Sequence, residues 1–256
     1  MPAAEFLLNA QTWLYILNNT LLIASVETLP ETFLAQPTQV FNGSLWTLRY
    51  EVLMYTVLAL AAAVVSVRYT CLVCFGLAVA GLAWLAYADV RSATIPIPFV
   101  WKFGLQFDAV RLCKLGAAFF GAACLYLYRS QVKLNWPLAL GLLFLCSLVP
   151  SHPTQGVMLA FAVPYATVAI AAAPPRLLAG TVTNDLSYGI YVYAYPVQQL
   201  FSEWSSAQNA GWAAALILSL CATLALAALS WRWVEEPALR LKPRRSGKDL
   251  AFPRSG

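Results

Sequence analysis

Seven stretches of this chain are apolar almost without interruption. They run from Leu45 to Val67, Thr70 to Ala88, Leu112 to Tyr128, Leu134 to Val149, Val157 to Ala173, Leu186 to Phe201 and Ala210 to Trp233. A helix rising 1.5 Å per residue needs about 20 mainly apolar residues to cross about 30 Å of hydrocarbon. Each stretch approaches or meets that length. An eighth, Phe6 to Ala24, is interrupted by Asn9, Gln11, Asn18 and Asn19. The runs are apolar on all sides and do not alternate, which predicts helices and not the strands of a barrel. The expected fold is all-α: a polytopic integral membrane helix bundle of seven or eight spans.

Composition agrees. Of 256 residues, 61% are hydrophobic and 11% charged, less than half the share of charge in a soluble domain, which is about 25%. The net charge of +5 is no nucleic-acid footprint, because seven of the sixteen basic residues follow Ser230. A basic tail beside a membrane helix orients the protein and touches anionic lipid heads. The tail therefore predicts a cytoplasmic C-terminus in the inner (plasma) membrane. Counting crossings back from it places the loop between Ser25 and Ser44, which has no Lys or Arg, on the outer side. The loop from Asp89 to Arg111 is also expected outside. The opening residues lack the basic region of a cleavable signal peptide.

Six cysteines, Cys71, Cys74, Cys113, Cys124, Cys146 and Cys221, lie in or beside apolar runs and read as small hydrophobes. No metal-ligand cluster or glycine-rich phosphate loop is apparent. The single histidine, His152, stands between two prolines and reads as solvated.

Chemistry is expected where polar groups enter the spans, since a charge at a helix centre costs about 3 kcal/mol on insertion scales. Ser44, Thr47, Glu51 and Tyr55 are spaced by three, four and four residues, which places them along one helical face. Arg49 is two positions from Glu51 and points elsewhere, so it is a poor partner for the carboxylate. A second stripe, Asn184, Ser187 or Tyr188, Tyr191, Tyr195, Gln198 and Ser202, recurs at helical spacing. Pro196 within it removes one backbone hydrogen bond and should bend the helix near Val192. Such a stripe suits either a hydrated pocket or an aromatic packing ridge. Trp231 and Trp233 beside Arg232 read as an interfacial belt.

The segment Asn42-Gly43-Ser44-Leu45-Trp46-Thr47-Leu48-Arg49-Tyr50-Glu51, followed by Tyr55, resembles the signature of the membrane acyltransferase-3 family. Leu186-Ser187-Tyr188-Gly189-Ile190-Tyr191-Val192-Tyr193-Ala194-Tyr195-Pro196 resembles that family's late helix, and Val234-Glu235-Glu236-Pro237 the Glu-Pro element that ends its last helix. The resemblance implies an enzyme that O-acylates sugars of surface polysaccharide, lipopolysaccharide or related glycans. Acyl-CoA, acetyl-CoA above all, would be the donor substrate, with no bound cofactor. It further implies one membrane domain over residues 6–237 and a basic cytoplasmic tail over 238–256. Glu51 would be the catalytic group, orienting or polarising a partner. Asn42, Ser44, Trp46 and Tyr55 would shape the acceptor side, facing Ser187, Tyr188, Tyr191 and Gln198.

The chain departs from that pattern at Ala194, where the family often has histidine. It also lacks the family's opening helices, whose histidine is the expected base. The expectation from this is that residues 1–256 alone are catalytically silent. Outside enzymology, the reading that remains is a non-catalytic remnant or a carrier of lipid-linked sugars. A carrier would show repeat symmetry and broken helices in both halves, and neither is visible.

Overall fold

The computed structural model describes residues 2–22, 26–34, 36–96, 106–150, 153–172 and 185–241. Ten helices occur among them: α1 (Ala3–Leu8), α2 (Ala10–Leu21), α3 (Leu48–Val64), α4 (Val67–Tyr87), α5 (Ala109–Leu127), α6 (Trp136–Leu148), α7 (Pro153–Ala171), α8 (Ser187–Gln208), α9 (Trp212–Ser230) and α10 (Glu236–Arg240). A 3₁₀ turn, Leu45–Thr47, precedes α3, and a π segment, Trp231–Glu235, joins α9 to α10. Two short strands, β1 (Thr94–Pro96) and β2 (Gln106–Asp108), pair antiparallel with Ile95 opposite Phe107.

The fold is an all-α membrane bundle. Among the described residues, five helical stretches are long and apolar enough to cross a membrane: Leu45–Val64, Val67–Tyr87, Ala109–Leu127, Thr154–Ala171 and Trp212–Arg240. The share of residues buried inside the protein runs only from 11% in the first to 33% in the fourth. Leu60, Leu77, Trp84, Phe161 and Ile217 are exposed on their surfaces. Apolar helices that show most of their surface outward require an apolar solvent, and lipid is that solvent.

Three of the expected spans differ. Asn9 accepts a hydrogen bond from the Gln11 amide at 2.8 Å and caps α2, which splits Phe6 to Ala24 into helices of 6 and 12 residues. Neither is long enough to span. In α6 the Asn135 side chain accepts from the Leu138 amide at 3.2 Å with Pro137 in the first turn, and the helix stops after 13 residues. The third, α8, has 22 residues but is too polar to count as a span by composition. The last helix also runs past its expected end, since the π segment carries it through Pro237 to Arg240.

The chain divides into two compact units. The first takes the described residues up to 49 and from 185 to 241; the second takes those from 50 to 172. In the second, α4, α5 and α7 meet around Ala78, Leu82, Ala117 and Ala160, and α6 packs on α7 through Ala139, Ala166 and Ala169. Small residues at these crossings let the helices approach closely, which is how helices associate where lipid removes the hydrophobic drive. The start of α3 is tied to the loop before α5. Tyr50 is fully buried edge-on to Phe107, and its hydroxyl accepts the Asp108 amide at 3.0 Å. Asp108 in turn caps α5, accepting from the Arg111 amide at 2.8 Å.

In the first unit, α8 and α9 form an antiparallel hairpin, turned through Asn209 and Gly211, both at positive φ. Near the open end Gly189 lies against Ala227; a Cβ there would come within 2.8 Å of the Ala227 Cα. Near the turn the Ser205 hydroxyl donates to the Gly211 carbonyl at 2.8 Å. The same number of residues separates the two contacts on each helix, so α8 runs in step with α9.

The described cysteines are all free thiols. Cys71, Cys124 and Cys146 are buried, as expected of small hydrophobes, while Cys221 is exposed.

Candidate functional site

The segment before α3 is extended and lies along α8. Its course is recorded by hydrogen bonds to successive turns of that helix. The Ser202 hydroxyl donates to Gln36 Oε1 at 3.4 Å, and Gln199 Nε2 donates to the Thr38 and Val40 carbonyls at 3.3 and 3.2 Å. Asn42 Nδ2 donates to the Val192 carbonyl at 2.9 Å, and the Tyr191 hydroxyl donates to the Ser44 carbonyl at 2.6 Å. From Ser202 to Tyr191 the chain descends about 16 Å along the helix, at 1.5 Å of rise per residue. The described part of the expected outer loop is therefore threaded alongside α8, toward the end at which α8 begins.

Its other side packs on the N-terminal helices. Phe41 stacks on buried Phe33 at 5.8 Å and meets buried Tyr15 edge-on at 5.7 Å. The Phe41 amide donates to the Glu27 carbonyl at 2.6 Å, beside an isolated bridge between Thr28 and Val40.

Pro196 explains why Asn42 stands where it does. A proline has no N–H, so the carbonyl four residues before it loses its helical donor. That carbonyl belongs to Val192, and Asn42 Nδ2 supplies the missing bond. Asn42 is buried, and its Oδ1 accepts the Ser44 amide at 3.0 Å. Both ends of the amide are thus committed to holding the loop, and Asn42 positions Ser44. Gly43 next to it faces Tyr195 so closely that a Cβ would lie 2.9 Å from the ring.

These bonds assemble a small hydroxyl cluster. Tyr191 donates to the Ser44 carbonyl, the Thr47 and Tyr191 hydroxyls share a hydrogen bond, and the Thr47 hydroxyl also reaches the Ser44 carbonyl at 3.4 Å. The 3₁₀ turn places Thr47 there. Trp46 sits half-buried in the same turn. Glu51 and Tyr55 follow on α3, one and two turns further, within the second unit. Both are exposed, and Tyr55 meets Phe119 edge-on at 5.2 Å.

On α8 the expected residues separate. Ser187 turns back to Asp185, its hydroxyl and amide donating to Oδ1 at 2.6 and 3.1 Å. The Ser187 hydroxyl, with its amide, holds the Asp185 carboxyl below the usual carboxylate range. Tyr188 is exposed. Gln198 lines an open cavity of about 640 Å³ between α8 and α9. Among the described residues no group of three or more His, Cys, Asp or Glu could hold a metal ion. Asn184 and His152 lie outside the described residues.

Sequence reasoning missed Gln199, which holds the threaded chain at two carbonyls.

The chain is similar to an O-acetyl transferase of Shigella phage Sf6. The two are 29% identical over 215 residues, 80% of this chain. The chain spans 59% of that relative's length. Comparison with protein-family models finds no match, and no solved structure matches either.

Proposed function

We propose that this chain is a membrane-embedded O-acyltransferase. It would move an acetyl group from acetyl-CoA to a sugar hydroxyl of a surface polysaccharide, lipopolysaccharide or related glycan. The likeness to the phage O-acetyl transferase carries the reading, because it extends over most of the chain. The acyltransferase-3 resemblance of Ser44 to Glu51 and of Ser187 to Pro196 supports it.

In the reaction a base removes the proton of the acceptor hydroxyl. The oxygen attacks the thioester carbonyl, the C–S bond breaks, and the CoA thiolate leaves and takes a proton. The oxyanion formed on attack needs donors already in place. We assign the Ser44–Thr47–Tyr191 cluster to shaping the acceptor side and Glu51 to orienting or polarising a reacting group. The placement of Glu51 on an apolar span supports that assignment, since ionisable residues in spans mark substrate pathways and sites.

The test is transfer of label from radioactive acetyl-CoA to glycan in membranes from cells without other O-acetyltransferases. Glu51→Gln keeps the shape of the side chain and removes its charge. In a version extended upstream by the family's opening helices, it should lower transfer at least a hundredfold, the scale of general acid–base catalysis, with unchanged protein level and melting temperature. Full activity in a well-expressed Glu51→Gln chain would make the carboxylate structural.

A further inference from the structure

The cavity between α8 and α9 lies near their connecting turn, and its lining has an uncommon character. Gln198, Ser202, Ser205, Ser206, Asn209 and Ser219 supply its polar groups, and among the described residues no charged side chain contributes. Ser205 and Ser219 are more than nine-tenths buried. Three of the hydroxyls spend their hydrogens on backbone. Ser205 donates to Gly211 at 2.8 Å, Ser206 to Ser202 at 3.0 Å and Ser219 to Leu216 at 3.0 Å. A hydroxyl has one hydrogen and two lone pairs, so each oxygen offers the cavity acceptor capacity alone. The Gln198 and Asn209 amides have no side-chain partner among the described residues and offer both donors and acceptors.

A ligand fitting this lining must bring several O–H donors and no net charge. An anion such as a CoA phosphate would find no cation, and a burial without one is expensive. A lipid tail would leave the Gln198 and Asn209 amides without hydrogen-bond partners. Trp212, 80% exposed at the rim, adds a flat apolar face on which the C–H side of a sugar ring can lie. The volume falls in the range of small-molecule sites, about 300–1,000 Å³.

We propose that this cavity binds a neutral sugar ring, as the entry subsite for the glycan acceptor. In naming the sugar as acceptor the proposal rests on the transferase reading; the lining chemistry stands without it. Ser202 joins the cavity to the threaded chain through Gln36, so a glycan held here borders the start of the path toward Ser44.

The probe is saturation-transfer NMR on the whole chain in lipid nanodiscs, since maltoside detergents are themselves sugars. Methyl glycosides of glucose, galactose, rhamnose and N-acetylglucosamine are compared with glucuronic acid. At least one neutral glycoside should receive saturation, and glucuronic acid at least fivefold less. Ser206→Leu fills the cavity from an exposed position and should cut the neutral signal at least fivefold, as should Gln198→Leu. Two variants guard against one that fails to fold. No signal from any neutral glycoside, equal signal from glucuronic acid, or undiminished signal in a folded Ser206→Leu chain would each overturn the proposal. The readout needs no turnover. Sugar binding in a chain that never transfers acetyl would uphold the subsite and sink the transferase; transfer without such binding would do the reverse.

Discussion

Asn42 and Pro196 are 154 positions apart in sequence, yet one completes what the other leaves open. The Val192 carbonyl, deprived of a helical donor by Pro196, takes its bond from the buried Asn42 amide. Leaving a buried acceptor unsatisfied costs about 1–3 kcal/mol. Asn42→Ala should therefore lower the melting temperature of the detergent-extracted protein by several degrees. Pro196→Ala restores the missing N–H. In that background the loss from Asn42→Ala should shrink, with a coupling of about 1 kcal/mol in a double-mutant cycle. Strict additivity would mean that the two residues do not share the Val192 carbonyl. The sequence carried half of this relationship. Proline's missing donor is written in its covalent structure, and the bend near Val192 follows from it. Which side chain would supply the donor depends on a long-range placement that local spacing does not encode. Asn42 was legible as a site residue only through resemblance, and its geometry makes it a holder of Ser44.

At the scale of elements, hydropathy and periodicity identified different things. Runs of apolar residues marked α3, α4, α5, α7 and α9, because a helix bathed in lipid is apolar all round. The run from Leu186 to Phe201 marked α8 as well, but that helix is too polar to count as a span by composition, because its polar residues bond to the threaded chain and line the cavity. Extended chain along a helix has neither signal. Its backbone bonds go to side chains of α8 at irregular intervals, so residues 36–44 read as an ordinary loop. The 3₁₀ turn at Leu45–Thr47 was equally hidden. Hairpin packing offers a direct check. Gly189→Leu would drive a side chain into the Ala227 backbone, whereas Gly76 on α4 has open space around its Cα. Overpacking costs typically 1–3 kcal/mol, and backbone leaves little room to yield. Gly189→Leu should reduce the yield of folded protein severalfold by fluorescence size-exclusion, with Gly76→Leu at the level of the parent. Equal yields would count against the close α8–α9 crossing.

For the whole molecule, orientation is the property that decides from which side each substrate arrives. The basic residues after Ser230 favour a cytoplasmic C-terminus. A cysteine at Ser92, between α4 and β1, should then react with an impermeant maleimide in intact cells, in a background with Cys221 replaced. A cysteine at Ser246 should react only after the cells are opened. The reverse pattern would turn the molecule over, and with it the side from which a glycan reaches the cavity at the α8–α9 turn. Labelling at both positions in intact cells would rule out the odd number of crossings between them.

The threaded segment also sets an order of events during synthesis. Asn42 leaves the ribosome 150 residues before Val192, the residue whose carbonyl it will satisfy. Non-helical backbone survives at membrane depth only where protein or water satisfies it. Until α8 has been made, the Thr38, Val40 and Ser44 carbonyls lack the donors that α8 gives them and must stay hydrated. Insertion of the apolar helices can proceed during translation, but the hydroxyl cluster at Ser44, Thr47 and Tyr191 cannot form before the hairpin is in place. The site is therefore the last part of the chain to mature, and a polypeptide released before α8 would carry its apolar spans without it.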